Sequence, residues 1–70
     1  MSYIEILEDQ GFAVEKYGEG FILAWYKNDM DFRYYGKTTS NSKQPIIDLA
    51  DVFATEQEAW ERASTLSEIN

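Results

Sequence analysis

Two pairs of aspartates, Asp29-x-Asp31 and Asp48-x-x-Asp51, are the closest spacings of carboxylates that could support acid–base or metal chemistry in this chain. Asp29-x-Asp31 has the spacing that begins a calcium-binding loop. However, Arg33 stands where the third ligand belongs, and no glycine or later glutamate completes the pattern. We therefore interpret the first pair as turn residues and the second pair as part of a solvated loop, and we expect no metal site.

Other signs of catalysis are weak as well. The chain has no Cys and no His, which removes the commonest nucleophiles, general bases and zinc ligands. Gly18-Glu19-Gly20 lacks the helix start and the lysine of a phosphate-binding loop. A chain of 70 residues also has little volume for a deep pocket. The sequence predicts a protein that binds rather than catalyses, without a cofactor.

The amino-terminal residues predict a short helix near residues 3–10. Ser2 and Glu5 have the spacing of a capping box, Ile4 and Leu7 share one helical face, and Gly11 can adopt the conformation that ends a helix. From residue 12 the apolar period changes to that of strands. Two turns, one at Gly18-Glu19-Gly20 and one at residues 28–31, then separate three predicted antiparallel strands: residues 12–17, 21–26 and 32–35.

The segment between the third strand and the last helix has two parts. Residues 38–44 are polar and are followed by Pro45, so we expect a loop. Residues 46–53 are apolar with two aspartates, and they fit either a short fourth strand or an irregular lead-in. The sequence does not choose between these alternatives.

The carboxyl-terminal helix has the strongest pattern. Thr55 and Glu58 form a second capping box, and Ala59, Trp60, Ala63 and Leu66 follow the spacing of one buried stripe over about residues 56–67. Residues 1–70 are thus expected to form one small acidic α+β domain. It has a short amino-terminal helix, a three-stranded antiparallel sheet and a carboxyl-terminal amphipathic helix packed on one sheet face. The sheet would have four strands if residues 46–53 form a strand.

This order of elements is similar to that of double-stranded-RNA-binding domains. In those domains the second helix carries basic residues, whereas Glu56, Glu58 and Glu61 stand on the corresponding helix here. The resemblance is therefore one of element order only, and it implies a comparable arrangement of elements.

The predicted strands carry more aromatic rings than one sheet face can bury. Alternation places Phe21 and Trp25 on one face and Tyr26 on the other, and two helices cover only one face. The second face is therefore either half-exposed or an interface, and a homodimer through it would add buried area that a short chain lacks. We predict Tyr26, Tyr34 and Tyr35 to be exposed anchors.

The net charge of −7 is concentrated at the two ends of the chain. Glu5, Glu8 and Asp9 lie in the first nine residues with no base, and residues 48–70 carry six acids against Arg62 alone. Surface glutamates often serve only solubility, but a surface of one sign also steers a protein toward a basic partner. We predict partner contacts through the carboxylates of Asp51, Glu56, Glu58 and Glu61.

The basic surfaces most common in cells hold nucleic acid. The leading hypothesis is therefore an inhibitor or regulator that docks on the basic surface of a nucleic-acid-binding protein, by analogy with phage-encoded anti-restriction and anti-CRISPR proteins. A self-associating accessory module is the second hypothesis. The third hypothesis is a binder of single-stranded nucleic acid, in which aromatic side chains stack on bases and Lys27, Arg33 and Lys37 contact phosphates. The negative net charge disfavours it. No targeting or membrane-spanning pattern is present, so we expect a cytoplasmic location with no membrane partner.

Overall fold

A computed structural model of the chain describes residues 2–39, 42–44 and 47–68. The elements follow the predicted order and form an α+β fold. They are α1 (Tyr3–Asp9), β1 (Phe12–Tyr17), β2 (Gly20–Asn28), β3 (Asp31–Tyr35), a 3-10 turn (Leu49–Asp51) and α2 (Glu56–Glu68).

Helix α1 is short, and both of its ends are fixed by the predicted residues. The Ser2 side chain accepts a hydrogen bond from the backbone N–H of Glu5 at 3.3 Å, as the capping-box spacing predicts. At the other end Gly11 has φ of +108°, a conformation that favours glycine. The indole N–H of Trp25 donates to the carbonyl of Gln10 at 3.0 Å and so satisfies one of the free carbonyls at the helix end.

The three strands form an antiparallel meander in the order β1-β2-β3, as predicted. Gly18, with φ of +62°, allows a two-residue hairpin loop between Tyr17 and Gly20. At the next turn the Asn28 side chain accepts hydrogen bonds from two backbone N–H groups, those of Met30 and Asp31, each at 2.9 Å. This is the turn chemistry expected of an asparagine.

Both helices pack on the same face of the sheet, and the main core lies between these layers. Leu23 at the centre of β2 is fully buried, and Ala59, Trp60 and Ala63 of α2 cover it as the predicted stripe requires. Tyr35, which pairs with Leu23, packs against this core from β3. Such a helix-on-sheet layer is the usual way for a small α+β domain to bury apolar surface.

The opposite face of the sheet is more covered than a two-layer fold implies. Ile22 and Ala24 point away from the helices by strand alternation, yet their exposed fractions are 2% and 0%. Ile47, in the segment that follows β3, is also buried and is not part of the main core. This face is therefore covered at its centre, whereas Tyr26, Phe32 and Tyr34 remain partly exposed on it.

The structure resolves the alternative for residues 46–53 in favour of an irregular lead-in within the described residues 47–53. Asp48 caps the 3-10 turn by accepting from the N–H of Ala50 at 3.0 Å. Only one isolated bridge follows, in which Phe53 pairs with Phe21 of β2 through two backbone hydrogen bonds. Pro45 and Ile46 lie outside the described residues.

Candidate functional site

The two helices run side by side in the same direction. The side-chain amide of Gln57, in the first turn of α2, donates to the hydroxyl of Tyr3, in the first turn of α1, at 2.9 Å. At the other end Ser67 donates to the side-chain oxygen of Gln10 at 2.5 Å. Because these contacts join start to start and end to end, both acidic first turns lie at the same end of the molecule.

One acidic helical surface results from this arrangement. We define it as five exposed carboxylates of the two helices: Glu5, Asp9, Glu56, Glu58 and Glu61. The only ion pair within the described residues, Arg33 with Asp31, lies elsewhere on β3. Glu58 and Glu61 line a groove together with Lys37 and Arg62, so these two bases offset part of the charge without forming an ion pair in the described ranges. The remaining carboxylates add to a field that attracts basic groups.

Two apolar side chains lie beside these carboxylates. Tyr3 and Ile6 are 41% and 45% exposed. Together with Gln10 they have the i, i+3, i+7 spacing of one helical stripe, and Tyr3 and Gln10 both contact α2. Ile6 therefore lies on the side of α1 that faces α2. An apolar patch with a charged rim is the usual anatomy of a docking surface.

Glu58 also has a role within the fold. Its carboxylate accepts from the backbone N–H of Ala54 at 3.0 Å, while Thr55 caps α2 by accepting from the N–H of Glu58 at 3.3 Å. Glu61 accepts a long hydrogen bond of 3.5 Å from Gln57. Both carboxylates remain exposed and can still contact a partner.

Asp51, the fourth predicted charge contact, is engaged inside the protein. Its two carboxylate oxygens accept hydrogen bonds from the backbone N–H and the hydroxyl of both Thr38 and Thr39, at 2.5 to 3.2 Å. Burial raises the pKa of Asp51, but the hydrogen bonds from Thr39 and Thr38 outweigh it and lower this pKa to about 2. This arrangement assigns the carboxylate a structural role, fixing the start of the segment that follows β3.

The three tyrosines predicted as anchors do not share a surface with the glutamates. Tyr35 lies on the helix side of the sheet, is half-buried, and packs against the core. Tyr26 and Tyr34 lie on the opposite face, where Tyr26 is 39% exposed and Tyr34 is half-buried. Phe32 contacts both of these rings, with centroid distances of 5.9 and 5.7 Å. Arg33 points to the helix side, so it does not flank this ring group.

The hydroxyl of Tyr26 donates a hydrogen bond to the carboxylate of Glu15 on β1. This bond, followed by burial and by the neighbouring hydroxyl of Tyr34, raises the pKa of Tyr26 well above its usual range. Glu15 therefore stabilises the ring group, and its carboxylate is not free for a partner.

Of the seven predicted contact residues, Glu56, Glu58 and Glu61 are exposed on α2, and Glu58 and Glu61 line one groove. Sequence reasoning missed Tyr3 and Ile6 as members of their surface. The helical spacing of the apolar residues could have revealed Ile6. Ile4 and Leu7 occupy the buried face of α1, so Ile6 must lie on another face.

Comparisons with protein-family models, with curated proteins and with solved structures find no match for this chain. In the described ranges no three acidic side chains come close enough to hold a metal ion. None of the helices there is long and apolar enough to cross a bilayer.

Proposed function

We propose that this domain is a non-enzymatic binding protein whose acidic helical surface docks on the basic surface of a nucleic-acid-binding protein. The observation that supports it is the parallel placement of α1 and α2, which puts the acidic first turns of both helices at the same end of the molecule. Bound there, the domain competes with DNA or RNA for its partner and acts as an inhibitor in the cytoplasm. Phage-encoded anti-restriction and anti-CRISPR proteins are the functional analogy.

The proposed contact has two parts. Glu56, Glu58 and Glu61 provide steering and charge pairing, which speeds association and makes it dependent on salt. Tyr3 and Ile6 provide apolar area that loses water on binding, as central residues of interfaces commonly do. Four predicted contact residues are not part of this contact. Asp51 and Tyr35 are engaged within the fold, and Tyr26 and Tyr34 lie on the other sheet face.

The experiment compares two variants with equal charge. The helix variant carries Glu56→Gln, Glu58→Gln and Glu61→Gln, and the amide oxygen that the second change introduces can still accept from the N–H of Ala54. The control variant carries Glu19→Gln, Asp29→Asn and Asp48→Asn, which removes three exposed charges outside the acidic helical surface. Each protein is immobilised and exposed to a lysate of the cells in which it is naturally made, and the retained proteins are identified. A duplex polynucleotide is then added as competitor.

We expect the wild type and the control variant to retain the same basic nucleic-acid-binding protein, and the polynucleotide to release it. The helix variant should retain much less of it. Equal retention by all three proteins, or retention that the polynucleotide does not disturb, would contradict the proposal.

A further inference from the structure

The outer edge of β1 is open among the described residues. Phe21 of β2 directs its N–H and C=O to Phe53, so they do not bond to its β1 neighbour Lys16. The backbone groups of Lys16 therefore point away from β2, and by alternation so do those of Val14 and Phe12. None of these three residues has a backbone partner outside the β1–β2 pair in the described ranges.

The other edge of the sheet is covered. Ser42 accepts from the N–H of Tyr34 at 2.7 Å, and Phe53 continues the cover along β2. An edge strand with free N–H and C=O groups is a template for another strand unless something blocks it. The β1 edge is thus the place where this sheet can grow.

We propose that β1 pairs with β1 of a second copy of this chain, antiparallel and centred on Val14. In this register every residue whose backbone N–H and C=O point outward lies opposite another such residue. Val14 lies opposite Val14 and Phe12 lies opposite Lys16, and each pair exchanges two backbone hydrogen bonds. A register centred on Glu15 would instead place two glutamates directly opposite each other, which is destabilising. The two-fold symmetry closes the assembly as a dimer with one continuous sheet.

Charge complementarity supports a second copy as the occupant. Helix α1 has Glu8 and Asp9 at its carboxyl end and no basic residue in its last turn, although the helix dipole favours a cation there. In the Val14-centred pair the exposed Lys16 of the second copy comes beside Phe12, on the helix side of the sheet and just after the end of α1. Each copy thus supplies the cation that the other lacks.

Glu8 is the carboxylate best placed for this contact. At 3.6 residues per turn it lies on the side of α1 opposite to Tyr3 and Gln10, which both contact α2. Since α2 packs over β1 and β2 while α1 packs over β1, that side of α1 faces the open edge. Glu8 is outside the acidic helical surface, so this dimer contact and the proposed partner contact can be tested separately.

Sedimentation of the full chain from about 10 μM to about 1 mM tests the dimer. A contact made by one pair of short strands is small, so we expect a dissociation constant in about the micromolar range or weaker. Val14→Pro removes the outward N–H without touching the hydrogen bonds to β2, and Val14→Thr is the matched control that keeps the N–H. The wild type and the Thr variant should dimerise, and the Pro variant should remain a monomer. A wild type that stays monomeric at every concentration overturns the proposal, as does a dimer that survives the proline.

A charge exchange between Lys16 and Glu8 tests the dimer if the proline variant does not fold. Lys16→Glu should weaken the dimer at least several-fold, and addition of Glu8→Lys should restore it. An equal dissociation constant for the single and the double variant counts against the contact.

Hydrogen exchange tests the pairing at single residues. The amides of Val14 and Lys16 should become protected as concentration rises, whereas those of Ala13 and Glu15, which face β2, should be protected throughout. A dimer that leaves the Val14 amide unprotected uses another surface and refutes the β1 pairing.

Discussion

The side-chain amide of Gln57 donates to the hydroxyl of Tyr3 at 2.9 Å, and this contact joins the first turn of α2 to the first turn of α1. Fifty-four positions separate the two residues in the chain, so the contact reports the packing of the helices and not local structure. It shows that the two acidic first turns lie at one end of the molecule. The proposed binding surface depends on this relationship.

Removal of the Tyr3–Gln57 hydrogen bond should weaken the contact between the helices only modestly, because both groups are exposed. We expect the changes Tyr3→Phe and Gln57→Ala to interact by about 0.5 kcal/mol in a double-mutant cycle of urea unfolding. Strictly additive effects would mean that the hydrogen bond does not hold the helices together.

Asp51 should make stability depend on acid pH. Its pKa is lowered from 3.8 to about 2 in the folded protein, so its contribution to the free energy of unfolding is present above about pH 4 and is lost as the pH falls toward 2. Asp51→Asn should remove about 1 kcal/mol at neutral pH and flatten the decline in acid, as measured by urea unfolding from pH 6 to 2. Asp29→Asn, with the same charge change in an exposed turn, is the control and should keep the wild-type decline.

Tyr26 should make stability depend on alkaline pH in the opposite sense. Because its pKa is raised above the ordinary tyrosine value of 10.0, the folded state favours the protonated phenol. The corresponding stability is present below about pH 10 and is lost as the pH rises beyond it. Glu15→Gln should lower the pKa of Tyr26 and make this loss shallower, as followed by ultraviolet titration of the tyrosines and by unfolding between about pH 9 and 12. A tyrosine titration that is unchanged by this substitution would contradict the contact with Glu15.

Gly20 should not tolerate a side chain. A Cβ at this position would lie 2.6 Å from the carbonyl oxygen of Phe53 and still closer to a methyl group of Val52. We therefore expect Gly20→Ala to destabilise the protein by about 1–3 kcal/mol in thermal or urea unfolding. The double change Gly20→Ala with Val52→Ala should recover part of this loss, and a Gly20→Ala variant as stable as the wild type would mean that residues 52–53 do not pack along β2.

Elements with a local signal could be predicted from the sequence. The capping residues Ser2 and Thr55 begin the two helices as expected, and strand β1 has its predicted bounds. These features depend on neighbours within a few residues, which a sequence pattern contains. The predicted strands 21–26 and 32–35 proved longer, since pairing across the Asn28 turn extends β2 and β3 toward each other.

Features that depend on contacts distant in the chain could not be predicted. Nothing near Asp51 in the sequence indicates that Thr38 and Thr39 would surround its carboxylate, so its charge looked available for a partner. Tyr35 was similarly expected to be exposed, but its pairing with Leu23 places it on the helix side. The two-residue period of strands makes each such assignment depend on register, which the sequence did not fix for β3.

The salt dependence of binding to the retained partner tests the central proposal most directly. Affinities of the wild type, the helix variant and the control variant are measured by titration calorimetry over a series of salt concentrations. We predict a lower affinity and a flatter dependence on salt for the helix variant alone, with the control variant close to the wild type. Equal salt slopes for all three proteins would show that Glu56, Glu58 and Glu61 only keep the protein soluble, and would contradict the proposed role of the acidic helical surface.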